Sequence, residues 1–83
     1  MTERNEIAAS GGTVVPAILA LEAAGFRVRE LGGDLFEATS PAGSFVADDP
    51  ITLLGLIKLV EVRGWSWAAT DDELDRVVTR FGW

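Results

Sequence analysis

The sequence predicts an α+β domain, a three-stranded antiparallel meander with helices packed on one face, in the order α-β-β-β-α-α. Three observations carry this expectation. Residues 26–47 alternate apolar and polar in the two-residue period of strands, with breaks at Gly32-Gly33-Asp34 and Ser40-Pro41-Ala42-Gly43. Residues 49–64, DPITLLGLIKLVEVRG, form the most apolar segment and carry helix start and stop signals. Two further helical segments flank this body, one from Thr13 and one from Thr70.

Taken in order, residues 1–12 are polar, end in Ser10-Gly11-Gly12, and read as a mobile leader. Residues 13–83 read as a single α+β domain. The first helix, TVVPAILALEAAG, has Pro16 in its first turn and Gly25 as its terminator. For the strands, a three-residue loop at Gly32-Gly33-Asp34 pairs Arg29 with Glu37, Arg27 with Thr39, Val28 with Ala38, and Leu31 with Leu35. This register sorts the faces, and a slip of one residue would invert them. The inner face is then Phe26, Val28, Phe36, Ala38, Phe45 and Ala47. The outer face is Arg27, Arg29, Leu31, Leu35, Glu37, Thr39, Ser44 and Val46, and a four-residue loop at 40–43 places Phe45 beside Ala38 and Ala47 beside Phe36 on the third strand.

In the central helix Asp49 suits the N-cap, Pro50 the first helical position and Gly64 the residue past the end. Only Thr52, Lys58, Glu61 and Arg63 interrupt its apolar surface, so it needs cover on more than one side. Thr70-Asp71-Asp72-Glu73 is a capping box that opens the last helix. There Leu74, Val77, Val78 and Phe81 recur at helical spacing as an expected buried stripe, with Gly82 as the stop.

Composition narrows the function. The 83-residue chain has no cysteine and no histidine, which excludes disulfides, Cys- or His-based metal sites, and mechanisms that need a thiolate or imidazole. Neither a cofactor nor a metal is expected. The net charge of −6 opposes phosphate backbones and anionic membrane surfaces, so nucleic acid is not an expected direct partner. No basic-then-apolar leader opens the chain, and its apolar runs fall short of the ~20 residues a span requires. A cytoplasmic protein with no membrane contact is the expectation.

Each candidate site has a structural alternative. Asp71, Asp72, Glu73 and Asp75 lack the loop spacing of a calcium site, and first-turn carboxylates follow from the helix dipole. Asp48 and Asp49 are adjacent, whereas acid–base pairs face each other across a cleft. Gly32-Gly33 joins two strands and lacks phosphate-loop spacing. Arg27 and Arg29 share the outer sheet face, where they can hold an acidic partner or lie solvated beside Glu37. Most informative are Trp65, Trp67 and Trp83, which serve either as lids on a small core or as anchors for a partner. With Leu31 and Leu35, these tryptophans and arginines form the candidate partner-binding set.

The order helix, three antiparallel strands, helix resembles the αβββα topology of double-stranded RNA-binding domains, with a helix added. That family holds RNA through basic residues at the start of the second long helix and in the loop between the first two strands. Here these places read Asp48-Asp49-Pro50 and Gly32-Gly33-Asp34, so the resemblance extends to topology and not to RNA binding.

The leading expectation is a small non-enzymatic module that meets another protein or a second copy of itself through surplus apolar surface. The alternative is an acidic inhibitor, of the immunity type, that masks the basic or nucleic-acid-binding surface of a partner. An enzyme would have to work with Asp, Glu, Lys58 or Ser/Thr alone.

Overall fold

A computed structural model describes residues 4–83. The expected leader, residues 1–12, falls partly outside this range; its described part is exposed and leads into a 3-10 turn at Gly11–Thr13. Six elements follow, namely α1 (Val14–Ala23), β1 (Arg27–Gly32), β2 (Leu35–Ser40), β3 (Gly43–Ala47), α2 (Pro50–Arg63) and α3 (Asp71–Phe81). The strands form one antiparallel sheet in the order β1-β2-β3. This is the expected α+β architecture.

Helix α1 stops where glycine allows it. Gly25 takes φ 96, its N–H donates to the Glu22 carbonyl, and the Phe26 N–H donates to the Leu21 carbonyl. These two bonds satisfy the last carbonyls of the helix and turn the chain directly into β1.

The expected pairs Arg27↔Thr39, Val28↔Ala38 and Arg29↔Glu37 are present, but the hairpin closes differently. Gly33 and Asp34 form a two-residue turn with φ 59 and 64, and Gly32, not Leu31, lies opposite Leu35. Such a turn matches the twist of a hairpin, and a bulge between Glu30 and Gly32 absorbs the one residue by which it differs from a three-residue loop. Leu31 is that extra residue. At the second turn the ladder also runs one pair further than expected, to Ser40↔Gly43, leaving Pro41-Ala42 as the connection. Ser40 Oγ accepts the Ala42 N–H at 3.2 Å. The pairs Ala38↔Phe45 and Phe36↔Ala47 stand as expected.

The inner face meets α1 and α2. Leu21 of α1 and Leu53 of α2 are fully buried against the buried Ala38, Phe45 and Ala47 of the sheet, and Phe26, Val28, Phe36, Leu54, Leu56, Ile57 and Val60 pack around them. Helix α2 lies on β2 and β3, and α1 covers α2 and β1. The 14 residues of α2 span about 21 Å, close to the ~17–20 Å of strands this long. Asp49 caps α2 as expected, accepting the Thr52 N–H at 2.7 Å and the Thr52 hydroxyl at 2.8 Å. These bonds, the backbone one first, hold its carboxyl below the usual range.

The third helix departs from expectation. The stripe Leu74, Val77, Val78 and Phe81 is not buried, because α3 has no buried residue and shares no packed face with another element. The radius of gyration is 15.6 Å, against about 12 Å for a compact chain of this length. Helix α3 projects as an arm.

Candidate interaction surface

The pose of the arm is built into the chain between the two last helices. Gly64, at φ 79, ends α2, and its N–H donates to the Val60 carbonyl at 2.7 Å. Arg63 in the last turn then reaches across the connection. Its Nε donates to the Trp67 carbonyl at 2.9 Å and its Nη2 to the Ala68 carbonyl at 3.3 Å. The same guanidinium grips the Glu73 carboxylate with two bonds, at 2.8 and 3.3 Å. Glu73 Oε1 also accepts the Thr70 N–H at 2.9 Å, and Thr70 Oγ1 accepts the Glu73 N–H at 3.2 Å, completing the expected capping box. A planar, bidentate donor thus ties the end of α2, the connection and the start of α3 into one joint.

The joint responds to acid. The Arg63 hydrogen bond first, and then the Thr70 N–H, lower the Glu73 carboxyl from an ordinary 4.5 to about 2. A depressed carboxylate stabilises the folded joint fully above its unfolded pKa, and that stabilisation is lost as pH falls through the folded value. The clamp is therefore expected to be whole above pH 4.5 and to release between there and pH 2. Tryptophan emission anisotropy followed through that window is expected to fall as the arm gains freedom, and Glu73→Gln is expected to remove the step. A step that persists in Glu73→Gln would assign the transition elsewhere.

Beside the joint lies an apolar groove of about 270 Å³, lined by Ser44, Phe45, Leu56, Leu59, Val60, Trp65 and Trp67. Trp65 forms its inner wall by stacking on Phe45, with ring centroids 5.4 Å apart and planes 22° apart. The backbone of β3 makes room for that ring. A Cβ at Gly43 would come within 2.6 Å of two Trp65 ring carbons, so only glycine lets the indole lie there. Trp65 remains 56% exposed and Trp67 48% exposed. Trp65 thus covers the core edge through Phe45 while its outer side, like that of Trp67, stays exposed.

The uncovered face of the arm is also apolar. Leu74 is 53% exposed, Phe81 58% and Trp83 80%, with Val77 and Val78 half-buried between them. Gly82 takes the left-handed conformation at φ 70, while the Gly82 and Trp83 N–H groups donate to the Thr79 and Val78 carbonyls. This closes the helix and folds Trp83 back onto Phe81, 5.2 Å between centroids, with the Arg80 guanidinium 5.2 Å from the Phe81 centroid.

Arg27, Arg29, Leu31 and Leu35 belong to a different surface, the β1–β2 hairpin. Arg29 is paired there with Glu37 at 2.6 Å, and Ser44 Oγ donates to the same carboxylate at 3.3 Å. Arg27 lies beside Glu22 and Thr39 in an open depression at the α1–β1 end, and Leu31 and Leu35 are each about two-fifths exposed. The candidate set thus divides into Trp65 and Trp67 at the groove, Trp83 on the arm, and the arginines and leucines on the β1–β2 hairpin. Sequence reasoning missed Arg63 and Leu59. Leu59 was legible as one more apolar residue on an already apolar helix; Arg63 carried no signal, since its partner Glu73 already had a local use in the capping box.

Among the described residues, no group of three or more His, Cys, Asp or Glu side chains could hold a metal ion, and no helix is long and apolar enough to cross a membrane. Fold and surface together define an α+β domain of αβββα order that carries an appended, projecting amphipathic helix beside an aromatic-walled groove. No family of known proteins, no characterised protein and no solved structure matches the chain.

Proposed function

We propose that the protein is a small non-enzymatic interaction module that docks on another protein surface, or on a second copy of itself, through apolar contacts of α3 and the Trp65–Trp67 groove. The observation that carries this reading is the arm. An amphipathic helix is stable when its stripe is covered, and Arg63 holds this one where its own body does not cover it. The groove suits a side chain better than a metabolite, being smaller than the ~300–1,000 Å³ of pockets that enclose drug-sized ligands. A net charge of −6 favours a protein over a nucleic acid as partner, and the cysteine-free composition supports a cytoplasmic setting.

The test is a pull-down with tagged wild type and with a Leu74→Glu/Phe81→Glu bait, each washed at low and at high salt. A partner held by wild type at high salt and lost by the double variant supports the reading. A partner that high salt releases from wild type would overturn it in favour of an acidic inhibitor of a basic target, because exposed ion pairs are screened within about 10 Å at 0.1 M salt and apolar contacts are not.

A further inference from the structure

We infer that the partner of this surface is a second copy of the chain, with α3 of each copy laid in the Trp65–Trp67 groove of the other. The inference rests on the reading of the arm and groove as a docking surface and assigns its occupant. Both halves of one contact are present on each chain, an apolar helical stripe and an apolar groove, and the joint keeps them apart within a copy. Arg63 fixes the connection at Trp67, Ala68 and Glu73, so α3 leaves the body next to the groove without turning back into it. Two copies exchanging arms about a two-fold axis satisfy both halves at once and leave neither exposed, which is the closed arrangement of arm-swapped dimers.

Area agrees. Phe81 and the three tryptophans, each about half exposed or more, offer on the order of 400–600 Å² of ring surface, taking about 150–250 Å² for each when buried. Leu74 and Leu59 add to this, bringing each copy toward the ~800 Å² per partner of a standard stable interface. The aromatic ends match in size. The groove has room for one large aromatic side chain, and the stacked Phe81–Trp83 pair ends the arm. Charge opposes association, since each copy carries −6, so added salt is expected to leave the dimer intact or tighten it.

Exchange of arms makes a prediction that pairing of arm with arm does not. Phe81→Glu damages the arm and leaves the groove whole, whereas Leu59→Glu or Trp67→Ser damages the groove and leaves the arm whole. Leu59 lines the groove without packing in the core cluster, so its variant keeps the fold, to be checked by circular dichroism. Light scattering is expected to give wild type the mass of two 8.9 kDa copies and each variant that of one. Each single change is expected to weaken self-association by ~30-fold or more, the scale of losing an interface hot spot. A mixture of Phe81→Glu and Leu59→Glu is expected to regain a population of two-copy mass, because one intact arm then meets one intact groove.

If Leu59→Glu and Trp67→Ser both stay dimeric while Phe81→Glu does not, the arms pair with each other and the groove assignment is overturned. Wild type that stays at single-chain mass at the highest soluble concentration overturns the second copy as partner. It does not touch the wider docking reading, which the salt-washed pull-down decides separately.

Discussion

Replacing Leu53 with alanine is expected to cost about 2–5 kcal/mol, out of a total stability on the order of 4–12 kcal/mol for a chain of this length. Leu53 is fully buried at the centre of a core whose other buried members are Leu21, Ala38, Phe45 and Ala47. Three of those five are on the sheet and only one other is a leucine, so few neighbours can relax into the space left behind. Urea unfolding followed by far-UV circular dichroism measures the loss, and Leu53→Asp is expected to prevent folding. Val62, on the same helix but 71% exposed, is the control, and Val62→Ala is expected to change stability by no more than about 0.5 kcal/mol. Comparable costs at the two positions would contradict the placement of α2 on the sheet.

The second large effect is one of composition of the folded unit. Ending the chain after Ala69 removes α3 whole, yet no side chain of α3 is buried against the body. The shortened chain is therefore expected to unfold cooperatively, at a midpoint within about 0.5 kcal/mol of the full-length protein measured at high dilution. At higher concentrations the two are expected to separate. If copies associate as inferred, full-length stability is expected to rise with concentration and that of the shortened chain to stay constant, because association that requires the folded state stabilises it by mass action. A shortened chain that loses its cooperative transition would show that α3 covers its own body in solution.

Much of the body was legible because local signals and global packing agree in it. Alternation over 26–47 sorts into faces in only one register, and Asp49-Pro50 and Thr70 with Glu73 mark their helix starts by side-chain chemistry that needs no tertiary context. The hairpin at 30–35 shows the limit. A three-residue loop, and a two-residue turn with one bulged residue, give the same pairing at Arg29 and Glu37, so alternation beyond the turn could not separate them; they differ only in where Leu31 and Gly32 lie. The left-handed pair Gly33-Asp34 was the available sign. For α3 the sequence specified an apolar stripe, and periodicity says that a stripe seeks cover without saying whose. The Arg63–Glu73 contact decides this, ten residues apart across an irregular connection, and such a pair becomes visible only when the path of the chain is known.

The placement of the indoles has a consequence for the optical study of this protein. The chain has no tyrosine, and its tryptophans sit at the joint, in the groove and at the tip of the arm. Emission spectra therefore sample one end of the molecule, and α1, β1 and β2 are silent in them. Heat or acid that opens the joint first will quench or shift the light while the backbone signal of the body is unchanged. Two curves that fail to coincide would ordinarily be taken as a folding intermediate. In this chain the same divergence would mark a native body whose tryptophans have already lost their contacts at the joint and the groove.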